Sequence, residues 1–251
     1  MKSILLSLLL LVSFSCKHAA EEDQSQSKGL VTENPTYDDI NKYRYKDFFF
    51  IINLHTNKLT VLRKGVVTDQ WNIATGDVSG GNHNGISKYT PQGLFTVNEI
   101  IHCPKWMPSD VKNDEGVVPE TWEEKVAIFE KYPSVYGPCG ENNPLGQTFI
   151  WFYKDYGMHG NSDESVLKRQ NPADRAVSGG CIRNPNILVN RLLNAMMRNY
   201  RKEIPGMKNF MSMVKASRRL PVREREEIIL DVRELEIPVL IGSWARDLNL
   251  N

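Results

Sequence analysis

The stretch around His159 and Cys181 constrains this chain most, because it places both residues in settings that favour chemistry over packing. His159 and Gly160 end an apolar, aromatic run, and Cys181 follows within the string Ser-Gly-Gly-Cys-Ile-Arg at residues 178–183. A thiol with an imidazole base is the minimum for nucleophilic catalysis by cysteine. Most free cysteines are small buried hydrophobes, but the two preceding glycines remove side chains where a substrate would approach. We also expect a helix near Pro185, whose N-terminal dipole would favour a thiolate.

Two further motifs lie upstream of this stretch. Residues 90–97 read Thr-Pro-Gln-Gly-Leu-Phe-Thr-Val, and residues 143–146 read Asn-Pro-Leu-Gly. Together with the His-Gly pair and the Ser-Gly-Gly-Cys-Ile-Arg string, they resemble the L,D-transpeptidase catalytic domain of bacterial cell-wall enzymes. Many members of that family carry a histidine where Gly179 stands, so the resemblance implies one fewer polar group at this site.

The resemblance implies a role for each residue of the motifs. Cys181 is expected to be the nucleophile and His159 its base, with the backbone carbonyl of Gly160 orienting the imidazole. Backbone N–H groups around Gly180 and Cys181 are expected to stabilise the oxyanion. The other residues expected to support the site are Ser178, Gly179, Arg183 and Asn184, and those expected to contact the substrate are Trp106 and Met158.

The implied substrate is the stem tetrapeptide of peptidoglycan, which would lose its terminal D-Ala and leave a thioester on the cysteine. The acyl group would then pass to an amine on a second stem, giving a crosslink, or to an amine of a protein. If water took the acyl group, the chain would be an L,D-carboxypeptidase. No cofactor is implied. Two other hypotheses stay open: a non-catalytic cell-wall-binding module, and a structural lipoprotein whose Cys181 is buried and inert.

Residues 1–16 have the features of an export signal. Lys2 supplies a positive start, and residues 4–12 form an apolar core too short to span a membrane. Small residues before Cys16 resemble a bacterial lipoprotein cleavage site, although an ordinary signal remains the alternative. This predicts lipidation at Cys16 and a place in the periplasm or cell envelope, anchored to a membrane. Residues 17–45 are polar and acidic and predict a flexible tether.

The net charge and the spacing of the cysteines limit which further partners we expect the protein to bind. The net charge of +1 gives no broad electrostatic case for binding nucleic acid. His102 and Cys103 are adjacent, but no zinc-type spacing accompanies them, and we predict no metal site. Cys103 and Cys139 can pair outside the cytoplasm if their Cα atoms are close enough, which the sequence does not show. We expect a monomer.

Residues 46–245 are expected to form the catalytic domain. Its predicted class is mainly β with added helices, an L,D-transpeptidase-type β-sandwich with a helix after Cys181. Short apolar or alternating runs bounded by turns indicate the strands, at residues 48–54, 59–62, 66–74, 90–101, 147–153 and 237–242. An amphipathic stripe predicts a helix over residues 185–201.

Two insertions interrupt this domain. Residues 103–142 are rich in proline and are predicted to be a possible lid over the cleft. Within them Trp122 favours packing in a small satellite core, whereas for Trp106 substrate contact and packing are equally open. Residues 203–236 are predicted to hold two charged helical or mixed segments with a solvated face.

Overall fold

The computed structural model describes residues 37–77, 82–83, 86–87, 89–108 and 110–244. The predicted export signal, with Cys16, and the first part of the predicted tether lie outside these residues. The helices are α1 (Tyr37–Tyr43), α2 (Trp122–Lys131), α3 (Pro133–Tyr136), α4 (Asn186–Asn199) and α5 (Met207–Ser217). The strands are β1 (Phe49–Asn53), β2 (Lys58–Arg63), β3 (Val66–Asn72), β4 (Asn82–His83), β5 (Ile86–Ser87), β6 (Gly93–Thr96), β7 (Glu99–His102), β8 (Thr148–Tyr153), β9 (Tyr156–His159), β10 (Ile182–Arg183), β11 (Ile228–Asp231) and β12 (Pro238–Gly242). Among the described helices, none has the length and apolar character needed to cross a bilayer.

The first sheet has the strand order β3-β2-β1-β12-β6, with β1 parallel to β12 at its centre. Every residue of β1 is buried, as its unbroken apolar run predicts for a strand covered on both faces. Phe50 and Ile52 enter the main core, whereas Phe49 and Ile51 pack on the other face with Ile40 of α1. The end of the predicted tether is therefore helical and belongs to the domain, which corrects the expected boundary at residue 45.

The second sheet has the order β10-β9-β8-β7-β11 and carries the site. Its residues Ile100, Ile150 and Met158 share the main core with β1 of the first sheet. This mainly β, two-sheet architecture with added helices confirms the predicted class.

Residues 90–101 were expected to form one strand, and that expectation is wrong. They form β6 in the first sheet and β7 in the second, and the chain crosses between them at Asn98. Its backbone N–H donates to the Trp151 carbonyl at 2.8 Å, and its side-chain amide donates to the Phe152 carbonyl at 3.3 Å. The break depends on contacts with β8, which the local run of apolar residues does not encode.

The helical elements follow their patterns, with one correction. Helix α4 buries the predicted stripe through residues such as Leu192, Leu193 and Met196. Helix α5 forms where the first charged segment was expected. The second segment, residues 223–236, contains β11, which pairs antiparallel with β7 and extends the second sheet. Its burial alternates residue by residue, the period of a strand.

Residues 103–142 form a separate small unit beside the second sheet. A disulfide joins Cys103 to Cys139, whose Cα atoms are 4.4 Å apart. Met107, Val111 and Phe129 form a satellite core, and Trp122 packs against it as predicted. Helix α2 begins with a capping box in which Thr121 and Glu124 satisfy each other's backbone N–H groups.

Candidate active site

A cleft of about 200 Å³ opens between the end of the second sheet and residues 103–142. It contains most of the residues that the motifs singled out. Its lining is Trp106, Pro108, Asp110, Pro144, Leu145, Asp155, Tyr156, His159, Ser178, Gly179, Cys181 and Arg183.

The imidazole of His159 is fixed at the end of β9. Its Nδ1 lies 2.5 Å from the carbonyl oxygen of Gly160. A carbonyl only accepts, so Nδ1 carries the proton and Nε2 of the neutral ring keeps its lone pair. The ring is 3% exposed and stacks on Phe149, with centroids 5.8 Å apart and planes 9° from parallel. These contacts hold the ring in one orientation and favour the tautomer with the proton on Nδ1.

Strand pairing places Cys181 on the same face of the second sheet as this ring, and both line the cleft. Strand β10 runs parallel to β9, with Ile182 opposite Met158 and Arg183 opposite His159. Because side chains alternate along a strand, Cys181 and Arg183 share the face of His159, whereas Ile182 and Met158 face the core. The Cys181 thiol is half-buried and donates to the carbonyl of Asp155 at 3.5 Å.

Ser178 braces the loop that carries Cys181. Its hydroxyl donates to the Cys181 carbonyl at 2.5 Å and accepts from the Gly180 N–H at 3.1 Å. Its own N–H donates to the Thr75 carbonyl at 2.8 Å. The Gly180 amide is thus committed within the loop, which corrects the expectation that it points at an oxyanion.

Three glycines of the motifs meet different requirements. Gly180 has φ +115°, and a Cβ there would lie 2.4 Å from the Tyr156 ring. A Cβ at Gly160 would lie 2.0 Å from Oδ1 of Asn186, so this close approach needs glycine. Gly179 is different, because a Cβ there would meet nothing within 4 Å. A side chain at Gly179 would therefore begin in open space.

Asn184 holds the backbone behind His159. Its backbone N–H and its side-chain amide both donate to the His159 carbonyl, at 2.8 and 3.2 Å. Its side-chain oxygen accepts from Nε1 of Trp71 at 2.9 Å. Because Asn184 is 1% exposed, it braces the site and is not available to a substrate carboxylate.

Two expectations about this region are wrong. Met158 was expected to contact substrate, but it is 1% exposed. It is paired with Ile182, and the two side chains point to the same face of the sheet, towards the main core. The helix expected near Pro185 does begin there, at Asn186, but the two residues of β10 separate its N-terminus from Cys181. The expected help of the helix dipole to the thiol does not follow from this arrangement, since the effect falls off within a turn.

Trp106 is packed and also faces the cleft, and its contact with substrate stays a prediction. Its ring stacks on Tyr136 at 5.3 Å and packs near Leu145, and it also lines the cleft.

The sequence analysis missed three residues that shape the site. Phe149 stacks on His159, Asp155 supplies the carbonyl that faces the thiol, and Asn186 bridges the loop after Gly160 by accepting from the Asn161 N–H at 3.2 Å. For Phe149 a signal existed, because it lies in the aromatic strand that leads to His159. The other two depend on contacts between distant loops.

Three side chains of the types that can bind a metal ion lie close together outside the cleft. Ligand atoms of His102, Cys103 and Cys139 fall within 4.8 Å of one another. The two sulfurs form the disulfide, so they offer no thiolate to a cation. Burial, and then the nearby Arg218 and Arg225, lower the pKa of His102 to about 4.

A fixed imidazole and a thiol in one cleft define a candidate cysteine-dependent site. The chain matches the model of the YkuD family, the L,D-transpeptidase catalytic domain, over residues 47–205. This match covers more than half of the chain, so the protein belongs to the L,D-transpeptidase catalytic domain family, as its motifs predicted. No curated protein matches the chain.

Several solved structures are similar to the chain. The Ldtfm–avibactam carbamoyl enzyme is 13% identical with a TM-score of 0.39, and the alignment covers 79% of this chain and 50% of that one. A cysteine-to-serine mutant of the Enterococcus faecium L,D-transpeptidase is 15% identical with a TM-score of 0.37, over 59% and 46%. The L,D-transpeptidase from Xylanimonas cellulosilytica is 16% identical with a TM-score of 0.35, over 78% and 60%. The chain spans about half the length of the first two.

Proposed function

We propose that this protein is a cysteine-dependent L,D-transpeptidase that acts on peptidoglycan stem tetrapeptides. The observation that carries the proposal is the contact of His159 Nδ1 with the Gly160 carbonyl, in the cleft that also holds the Cys181 thiol. An imidazole with Nδ1–H on a carbonyl presents Nε2 as the base, the arrangement that a thiol nucleophile requires. Membership of the L,D-transpeptidase family supports the choice of substrate.

The reaction follows from these two groups. Nε2 of His159 takes the thiol proton, and the sulfur attacks the carbonyl carbon of the bond that precedes the terminal D-Ala. The tetrahedral intermediate collapses, D-Ala leaves with the proton from His159, and a thioester remains on Cys181. An amine then attacks the thioester, His159 takes its proton, and the sulfur leaves as the new amide forms. The thiolate regains the proton, so no other reactant is needed.

Release of D-Ala tests this proposal. We expect the wild-type protein to release D-Ala from a purified stem tetrapeptide and Cys181→Ala to release none while keeping its thermal unfolding temperature. Mass spectrometry of the products, with and without an added amine, then separates transfer from hydrolysis. A Cys181→Ala variant that keeps substantial turnover would overturn the assignment of the nucleophile.

We propose further that the protein is exported and lipidated at Cys16. Lys2, the short apolar core after it and the small residues before Cys16 support this proposal. Cys16→Ser is expected to move the protein out of the membrane fraction or to block its processing. Unchanged membrane association of that variant, with no lipid on the mature N-terminus, would contradict the proposal.

A further inference from the structure

Acyl transfer at Cys181 needs hydrogen-bond donors for the oxygen that becomes negative in each tetrahedral intermediate. One of the donors that the motif suggests is already engaged within the loop. The Gly180 N–H donates to Ser178 Oγ at 3.1 Å, and Gly179 carries no side chain where many relatives have histidine. Another polar group on the cleft wall could therefore serve as a hydrogen-bond donor to this oxygen.

Tyr156 is the group that the fold places there. It begins β9 and lines the cleft together with Cys181 and Gly179. Its ring lies against Gly180, so closely that a Cβ at Gly180 would be 2.4 Å from Cε1 of the tyrosine. The ring also stacks on Tyr153, with centroids 6.4 Å apart and planes 12° from parallel. Packing on two sides fixes the ring next to the residue that precedes the nucleophile.

The hydroxyl of Tyr156 is suited to donating a proton in a hydrogen bond. Burial first, and then the neighbouring Cys181, raise the pKa of this phenol above its ordinary value. The group therefore stays protonated at neutral pH and above. None of the hydrogen bonds among the described residues uses this hydroxyl, and a phenol O–H is a strong donor to an anionic oxygen.

We propose that the Tyr156 hydroxyl donates a hydrogen bond to the oxyanion of the tetrahedral intermediates formed at Cys181. This inference rests on the proposed function and adds a catalytic residue to it. When the sulfur attacks, the carbonyl π electrons move to the oxygen, and the phenol stabilises that charge without giving up its proton. When the intermediate collapses, the electrons return to the carbonyl and the hydrogen bond weakens. The same donor serves formation and aminolysis of the thioester.

Tyr156→Phe tests the proposal, because it removes the hydroxyl and keeps the ring that packs on Gly180 and Tyr153. We expect kcat for D-Ala release to fall about 100-fold, the size of effect measured when one oxyanion donor is removed, with little change in KM. Tyr153→Phe is the matched control: it removes a phenol from the stacked partner, which does not line the cleft, and is expected to keep wild-type kcat.

Alkylation of Cys181 by iodoacetamide separates an oxyanion role from an effect on the thiol. This displacement at a saturated carbon forms no oxyanion, so Tyr156→Phe is expected to react at the wild-type rate. Wild-type kcat in Tyr156→Phe, or alkylation slowed as much as kcat, would overturn the proposal. If the wild-type protein itself released no D-Ala, the proposed function would fail instead, so the two failures are distinguishable.

Discussion

The two walls of the cleft are built differently. The sheet wall consists of β9, β10 and residues 176–184, and it contains polar side chains that are buried and bonded to the backbone, such as those of Ser178 and Asn184. The segment wall consists of residues 103–142, which have their own satellite core and contribute Trp106 and Asp110 to the cleft. The disulfide between Cys103 and Cys139 closes that segment at its base.

This difference indicates that the two walls have different functions. Reacting groups must keep their geometry within a fraction of an ångström. The sheet wall provides this because His159 ends β9 and Cys181 directly precedes β10, and these two strands pair with each other in the second sheet. The segment wall packs around its own satellite core and supplies an aromatic surface. We therefore expect the chemistry on the sheet wall and substrate contact on the segment wall.

Removing the disulfide is expected to have the largest effect on the segment wall. The double substitution Cys103→Ser and Cys139→Ser opens a loop with a sequence separation of 36. We expect a loss of about 4 kcal/mol in the stability of this segment from loop entropy. KM for the stem tetrapeptide should rise, whereas iodoacetamide should alkylate Cys181 at the wild-type rate. Equal slowing of alkylation would show that the two walls are not independent.

Asn184→Ala is the corresponding change in the sheet wall. It leaves Nε1 of Trp71 without its acceptor and removes the side-chain donor to the His159 carbonyl. Unpaired buried polar groups of this kind are expected to lower the free energy of unfolding by about 3 kcal/mol and to lower kcat as well. Asn142→Ala, at an exposed position of the segment wall, is the control for denaturant unfolding. Equal stability of the two variants would contradict the role given to Asn184.

His102 lies where the second sheet meets the segment wall. Its lowered pKa predicts that the free energy of unfolding depends on pH. Its pKa is lowered in the folded state from 6.5 to about 4, so the unfolded chain takes up a proton first as the pH falls. Between pH 6.5 and 5 this linkage is expected to cost about 2 kcal/mol of stability, and the loss continues towards pH 4. His102→Gln should remove that part of the slope. The raised pKa values of Glu99 and Glu227 act with the opposite sign and remain in both proteins. If the wild type and His102→Gln gave parallel curves of unfolding free energy against pH, His102 would be excluded as the cause.

Trp106→Ala is expected to have the smallest effect. Its ring lines the cleft and stacks on Tyr136, and we expect KM to rise about five-fold, or about 1 kcal/mol, with kcat unchanged. Trp122→Ala, in the satellite core of the same segment, serves as the control. If both variants changed KM equally, the effect would come from loosening the segment and not from contact with substrate.

The sequence predicted what depends on local pattern and missed what depends on pairing. The family, the two-sheet class and the stripe of α4 followed from motifs and periodicity. Met158 was misassigned because only the register between β9 and β10 shows which face it occupies. The strand β11 was missed because its four residues lie within a densely charged segment, and their alternating burial depends on the pairing with β7. The pairing of Cys139 with Cys103 was left open because proximity across the segment is set by its satellite core.

The central claim is that Cys181 forms a thioester with help from His159, and intact-protein mass spectrometry tests it most directly. The protein is mixed with stem tetrapeptide in the absence of an added amine and quenched in acid at short times. We expect the wild type to gain the mass of the peptide minus its terminal D-Ala, with the adduct on the peptide that contains Cys181. We expect Cys181→Ala to gain nothing and His159→Ala to gain the adduct far more slowly. An adduct on another residue, or equal rates in the wild type and His159→Ala, would contradict the account.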